Sequence, residues 1–224
     1  MLRLSPVIHK FNDEACEFGE LNGYRIAITI PEKDSAGTNT SLTLSDISHL
    51  SRAGFRGVTS SERLQQSGHA VPEINQITTN GQGLLIARFS QTEMMIMQDI
   101  EGSSEAYESF IKNVDLSPIS EKHPDVYYLP RQDSHACFLL KGDSCSELFS
   151  KLCAVDLRTD HFANLHIAQT SMARVGVIIL RRDLGTTPAF MLLVDSAAAE
   201  YLWDCLEDAG QELSMNRTLF NDGS

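Results

Sequence analysis

One six-residue pattern occurs twice in the chain and constrains its fold more than any other feature. Gly57-Val58-Thr59-Ser60-Ser61-Glu62 and Gly142-Asp143-Ser144-Cys145-Ser146-Glu147 each set a hydroxyl residue two positions after a glycine and a glutamate three positions further on. All three positions keep one offset of 85 residues: 57 to 142, 59 to 144 and 62 to 147. The spacing is that of a capping box, in which the hydroxyl accepts a hydrogen bond from a first-turn N–H and the glutamate reaches back to the N–H of the cap. It predicts helices opening at Thr59 and Ser144. Each follows a strand, one ending at Phe55-Arg56 and the other running from His135 to Lys141. Leu148, Phe149 and Leu152 supply the apolar stripe of the second helix.

The order of elements repeats downstream. Leu84 to Phe89 and Glu93 to Gln98 predict a hairpin about Ser90-Gln91-Thr92. In the second half Ala173, Val175, Val177 and Ile179 alternate as a strand, and after a Gly185/Pro188 turn comes Ala189 to Val194. Each half closes with a helix: Tyr107, Phe110, Ile111 and Val114 in one, and Tyr201, Leu202, Cys205, Leu206 and Ala209 in the other, with Gly210 as its stop. The predicted fold class is α+β, two pseudo-repeated βαββα units with antiparallel sheets. Two α+β halves alike by chance are the alternative. Ahead of them Tyr24, Ile26, Ile28 and Ile30 alternate with Arg25, Ala27 and Thr29, a strand of period two. The polar stretch Pro31 to Ser41 predicts a mobile loop, Asp115 to Asp125 with its two prolines a linker, and Ser214 to Ser224 a fraying tail. The resulting ranges are 1–41, 42–130, 131–213 and 214–224, within one compact domain.

Composition narrows the class of partner. With 224 residues, 42% hydrophobic and 21% charged, the chain is long and apolar enough to bury a core and is not disordered throughout. Eighteen basic against 30 acidic residues leave a net charge of −12, which disfavours nucleic acid and anionic membrane as partners. No stretch approaches the roughly 18 unbroken apolar residues of a membrane span. Met1 to Phe11 carries Ser5, Pro6, His9 and Lys10 where a secretory signal needs an apolar run. The expectation is a soluble, cytoplasmic protein. Its cysteines, Cys16, Cys137, Cys145, Cys153 and Cys205, are odd in number and show no C-x-x-C, so they read as reduced thiols.

Motifs for chemistry are sparse. There is no G-x-S-x-G and no phosphate-cradling glycine loop, and Asn80-Gly81-Gln82-Gly83 reads as a turn before the Leu84 strand. His161 and His166 are off-register for a shared metal on a helix and face opposite sides on a strand, so they read as surface histidines and no metal site is assigned. Glu207-Asp208 and Asp13-Glu14 read as solvated faces, and Arg181-Arg182 as a polar strand end with some capacity for an anion. No catalytic residue is assigned.

The second half resembles the gamma subunit of bacterial heterotetrameric sarcosine oxidase, itself similar to the folate-binding domain of the glycine-cleavage aminomethyltransferase. The resemblance is carried by Ser134-His135, the strand Ala136 to Lys141 and Gly142. It continues through Leu152-Cys153, Val155-Asp156-Leu157, Phe162, Gln169-Thr170, Ala173 and Tyr201-Leu202-Trp203. The first half is similar more loosely, through Leu44-Ser45-Asp46-Ile47-Ser48 and the strand ending in Met94-Met95-Ile96-Met97. The resemblance implies two intertwined α+β halves with antiparallel sheets. It also implies a structural subunit that holds no cofactor of its own, beside larger alpha and beta subunits that carry flavin, NAD and folate, and a small delta subunit that carries zinc. One departure bears on chemistry. Folate-dependent aminomethyltransferases carry an acidic pair after the glycine turn of the first half, whereas Gly81 to Arg88 here contains no carboxylate. The resemblance therefore implies a non-catalytic subunit of a complex that oxidatively demethylates an N-methyl amino acid. The alternatives are a stand-alone folate-binding or aminomethyltransferase-like protein, and a binding protein that kept the fold.

A subunit without a site of its own still needs an apolar contact surface. Phe11 and Phe18 near the N-terminus and Tyr127 and Tyr128 ahead of the second repeat are the interface candidates, because they lie outside the repeat and its core does not need them. Met94, Met95 and Met97 are a weaker candidate. A strand sends them to opposite faces, so either the chain covers both faces or one awaits a partner.

Overall fold

Two long apolar runs, His135–Lys141 and Ala189–Asp195, are buried along nearly their whole length, and sheets form around runs of this kind. The computed structural model describes residues 2–12, 16–30, 41–113 and 125–220. The expectations for residues 31–40, the 114–124 stretch and the last four residues fall outside these, as do Val114 and Asp13-Glu14. In chain order the elements are β1 (Arg3–Leu4), β2 (Glu17–Leu21), β3 (Tyr24–Thr29), β4 (Thr43–Asp46), β5 (Arg52–Gly57), α1 (Ser60–Gln66), β6 (Gln76–Thr79), β7 (Leu84–Arg88), β8 (Glu93–Gln98), α2 (Ser104–Asn113), β9 (Val126–Leu129), α3 (Arg131–Ser134), β10 (His135–Lys141), α4 (Cys145–Leu152), β11 (Ile167–Met172), β12 (Val175–Arg181), β13 (Ala189–Asp195), α5 (Ala199–Gln211) and β14 (Asn216–Arg217). The described residues group into two compact units, one drawn from Met1–His49, His135–Asn164 and Thr170–Asn221, the other from Leu50–Ser134 and Leu165–Gln169.

The first unit holds a six-stranded sheet in the order β11-β12-β13-β10-β4-β14 and a three-stranded sheet in the order β1-β3-β2. Helix α5 buries Ala199, Leu202, Trp203, Leu206 and Gly210, while Tyr201, expected on its apolar stripe, is 50% exposed. Trp203 is the largest fully buried side chain, with Phe138 and Phe11 edge-on at 5.0 and 5.7 Å between ring centroids. Gly210 does not stop α5 in a left-handed turn. It lies inside the last turn, where a Cβ would meet the Met215 side chain at 2.6 Å. The chain after α5 does not fray through Phe220. Asn216–Arg217 pair in parallel with Thr43–Leu44, and the Asn216 and Thr218 N–H groups donate to the carbonyls of Leu42 and Leu44.

The second unit holds a five-stranded sheet in the order β6-β7-β8-β5-β9. One of its faces contributes Phe55, Leu84, Ile86, Met94, Ile96 and Val126 to a core closed by Leu64 of α1 and Phe110 of α2. Met95 and Met97 on the opposite face are also fully buried, so the chain itself covers both sides of this strand.

Each repeat is thus β-α-β-β-β-α, with one strand more than the sequence suggested. The unforeseen strands are β6, a short polar QITT, and β11, whose alternation is broken by Gln169 and Thr170. Ala173 was expected in a strand but stands with Arg174 in a tight turn between β11 and β12, both with positive φ. The two sheets match strand for strand: β6-β7-β8-β5 corresponds to β11-β12-β13-β10. In each, the next strand comes from the chain ahead of the other repeat. β9 pairs antiparallel with β5, and β4 pairs antiparallel with β10.

The repeated Gly-x-hydroxyl pattern serves this pairing rather than helix capping. A Cβ on Gly57 would stand closer than 3.0 Å to the Asp125 carbonyl and the Val126 Cα. A Cβ on Gly142 would crowd the Ser41 carbonyl and the Leu42 Cα in the same way. Neither Thr59 nor Ser144 makes a side-chain cap bond, because their backbones (ψ 10° and 5°) are not extended as a capping residue requires. Instead the Thr59 hydroxyl donates to the Asp125 carboxylate at 2.7 Å, and the Ser144 and Ser41 hydroxyls share a hydrogen bond of 2.9 Å. Both hydroxyls clasp the start of the incoming strand.

Replacing either glycine with alanine should therefore cost stability by overpacking, by about 2 kcal/mol for Gly57→Ala. Gly142→Ala should cost more, since Gly142 also holds φ +132°. Gly176 of β12 has open space around it, so Gly176→Ala should stay within about 0.5 kcal/mol of the parent. Chemical denaturation of the three variants checks the ranking, and equal midpoints would refute the strand-clasp account.

Candidate functional site

Side chains on one face of a sheet line up across strands according to register. Tyr127 of β9 stands opposite Arg56 of β5, and Arg56 stands opposite Glu93 of β8, so the three form a row. In the next row Gly54 faces Leu129, and its missing side chain leaves the room that the Arg131 stem occupies, since a Cβ there would meet the Arg131 Cγ at 2.8 Å. Arg131 reaches Glu93 from α3 and lies over the Phe89 ring at 5.9 Å. Glu93, with a side chain only 10% exposed, is thereby held between two guanidinium groups, Arg131 on one oxygen and Arg56 on the other at 2.6 Å. Arg56, Glu93, Leu129, Pro130, Arg131 and Ser134 line an open cleft of about 330 Å³. Such a cleft offers guanidinium donors to an anionic group and an apolar wall to whatever carries it.

The four interface candidates divide between the units, Phe11 and Phe18 in the first and Tyr127 and Tyr128 in the second. Tyr127 and Tyr128 are 63% and 38% exposed on β9, an edge strand of its sheet. Phe11 is buried against Trp203, in a 3-10 turn fastened to α5 by Lys10, which pairs with Asp204 at 2.7 Å and Glu200 at 3.3 Å. Phe18 is half-buried on β2 under the Arg25 guanidinium, 4.5 Å from its ring centroid.

Other candidates resolve into structure. Arg181 is buried and spends its guanidinium on the Asp183 carboxylate and on the carbonyls of Thr159 and Phe162, so it is not available to an external anion. His161 is exposed beside Asp156 and Asp160, and His166 forms a β-bridge with Gln76. All five cysteines are free thiols, and burial pushes the Cys145 thiol well above its ordinary range. Among the described residues no three or more His, Cys, Asp or Glu side chains gather as metal ligands. Nor is any helix there long and apolar enough to cross a membrane.

The Asn80–Gly83 segment is a turn in which the Asn80 side-chain oxygen accepts the N–H groups of Gln82 and Leu84. Gly83, with φ +103°, lies against Gly102 so closely that neither tolerates a Cβ. Beside them Asp99 is buried and donates its N–H to the Gly83 carbonyl at 2.8 Å. Sequence inspection missed Asp99, Glu93 and Arg131. Glu93 and Arg131 become visible only once β8 is known to align with β5, and Asp99 had no signal beyond following an apolar strand.

Loss of the shared carboxylate leaves two cations facing each other, so Glu93→Ala should destabilise by about 3 kcal/mol. Arg56→Ala removes only the exposed partner and should cost under about 1 kcal/mol. Equal losses in a denaturant titration would contradict this division. A second expectation concerns Tyr107 of α2, whose phenol is pushed up to about 12 by burial and the neighbouring Tyr128, against the opposing pull of Arg52. The folded chain then holds this proton where the unfolded chain, with an ordinary pKa of 10.0, has lost it. Stability should fall as pH rises from 10 towards about 12. Tyr107→Phe should flatten that fall, and an unchanged slope would count against it.

The sequence matches the family described as the GCVT N-terminal domain over residues 8–218. No curated protein sequence is significantly similar to it. Among solved structures, the heterotetrameric sarcosine oxidase from Corynebacterium sp. U-96 in complex with pyrrole 2-carboxylate is similar with a TM-score of 0.63 and 17% identity, over 80% of this chain and 88% of that one. The glycine cleavage system aminomethyltransferase T from Bartonella henselae is similar with a TM-score of 0.64 and 16% identity. That match covers 98% of this chain but 59% of the aminomethyltransferase, so the chain spans well under two thirds of that enzyme. At these identities the likeness is one of fold, and it agrees with the α+β architecture and antiparallel sheets. The chain, matched over nearly its whole length, belongs to the GCVT N-terminal domain family.

Proposed function

We propose that the chain is a non-catalytic, gamma-like subunit of a sarcosine-oxidase-type complex, which demethylates an N-methyl amino acid oxidatively in its alpha and beta subunits. The observation that carries this reading is the glycine turn of the second unit. Folate-dependent aminomethyltransferases place an acidic pair after this turn, whereas here the Gly81–Arg88 stretch has no carboxylate and Gly83 is packed backbone to backbone against Gly102. Without that acidic pair the chemistry lacks its reacting groups, and a fold does not supply chemistry without a site. The exposed Tyr127 and Tyr128 supply the contact surface such a subunit needs, since tyrosine is enriched where interfaces bury their centre. Flavin, NAD and folate then belong to the partner subunits, and the assembly works in the cytoplasm.

Asp99 favours a second reading. A buried carboxylate next to the glycine turn is compatible with a stand-alone folate-binding or aminomethyltransferase-like protein that places its acid elsewhere.

Two measurements separate the readings. Co-expressed with the alpha and beta subunits of a sarcosine oxidase, the chain should co-purify in stoichiometric amount. Alone it should show no flavin absorbance and no sarcosine-dependent peroxide formation. Failure to co-purify, together with saturable tetrahydrofolate binding that Asp99→Asn abolishes, would move the assignment to the second reading.

A further inference from the structure

The strand-for-strand match between the two sheets leaves one strand over. Beyond β4 the first unit adds β14, whereas β9, the counterpart of β4, has no strand on its outer side among the described residues. The correspondence extends to single residues. Leu44 faces Leu140 and Tyr128 faces Phe55, and Phe55 and Leu140 keep the repeat's offset of 85. Leu42 and Leu44 turn their carbonyls outward to accept the N–H groups of Asn216 and Thr218. Val126 and Tyr128 hold the same places and so turn their main-chain groups away from β5, because the N–H and C=O of one residue share a side in a paired strand.

We infer that the outer edge of β9 accepts an extended segment of a partner subunit, running parallel to β9 as β14 runs parallel to β4, and bearing a carboxylate. This inference rests on the subunit reading above. Direction and charge define the segment. A parallel segment runs from Val126 towards Pro130, and there the cleft lined by Leu129, Pro130, Arg56, Arg131 and Ser134 opens. Two of the cleft's side chains are cationic and one anionic, and Arg56 is 60% exposed beside the exposed Tyr127. A carboxylate at the end of the incoming segment meets the Arg56 guanidinium, and its preceding residues pass over Tyr127. No strand among the described residues occupies this edge, and the subunit reading assigns it to a partner subunit. Strand addition at an open edge is a common mode of peptide recognition, in which main-chain bonds supply affinity and side-chain pockets supply specificity.

Hydrogen exchange on the full chain, alone and assembled with sarcosine oxidase alpha and beta subunits, tests this. In the assembly, exchange in the segment 125–130 should slow at least about tenfold relative to the isolated chain, as an amide gains a strand partner. Arg56→Gln should weaken assembly about tenfold while shifting the denaturation midpoint of the isolated chain no more than Arg56→Ala does. A complex that forms with unchanged exchange at 125–130 would overturn the inference and leave the subunit reading intact. Slow exchange there already in the isolated chain would overturn it too, since the chain would then cover its own edge. If the wild-type chain forms no complex, the subunit reading falls and this inference falls with it.

Discussion

The close approach of a glycine to the backbone of an incoming strand is the constraint on which both units depend. Gly57 takes the Asp125–Val126 backbone and Gly142 takes Ser41–Leu42 at distances that no Cβ would allow. The sheets are thereby completed by strands that precede the opposite repeat in sequence, as the pairing of Phe138 with Asp46 illustrates. Neither repeat can close its sheet from its own residues. Long-range pairings of this kind raise contact order, and across small proteins higher contact order goes with slower folding. The hydroxyl two residues on adds direction, because Thr59 and Ser144 each bond a residue just ahead of the incoming strand.

Buried cations are consumed by the fold itself. Arg52, 1% exposed, donates from its guanidinium to the carbonyls of Arg131 and Leu50, while its N–H binds the Gln132 side chain at 2.8 Å. It fixes the chain ahead of β10 to the start of β5. Arg181 does similar work in the first unit, joining Asp183 to the carbonyls of Thr159 and Phe162. A guanidinium can be buried on these terms because its fork of donors finds acceptors in fixed positions. Arg56 differs, since its partner Glu93 is already held by Arg131 and its own stem stays in solvent. It is the arginine of this set that keeps reach outside the chain.

Features repeated at a fixed offset were legible in the sequence, and features made by pairing were not. The helices opening after Thr59 and Ser144 and the Leu84–Gln98 hairpin follow from local pattern. The purpose of the Gly-x-hydroxyl repeat did not, because a capping box and a strand clasp share their first residues and differ only in what lies opposite. Strands β6 and β11 escaped notice because Gln76–Thr79 and Ile167–Met172 carry polar residues at positions that alternation assigns to the interior. Tyr201 was misplaced because an aromatic residue among leucines looks like core. The helix instead turns Trp203 inward and leaves Tyr201 in water.

A duplicated unit makes its own departures from symmetry informative. Any feature required for folding should appear in both copies, as the crowded glycine and its neighbouring hydroxyl do. A feature present once answers to something else. The Asp183 that neutralises the buried Arg181 lies after β12, and its place in the other repeat falls at the Ser90 turn, where the serine hydroxyl accepts the N–H groups of Thr92 and Glu93 instead. The acidic charge of that hairpin sits three residues further on, at Glu93, which is held by Arg131 and by the exposed Arg56. In the first unit Arg181 and Asp183 pair with little exposure, and the outer strand edge is occupied by β14. In the second unit Arg131 and Glu93 pair with as little, but Arg56 adds a 60% exposed guanidinium and β9 presents two tyrosines. Two sheets with the same strand order therefore differ where one is finished by its own chain, and selection for folding alone gives no reason for that difference.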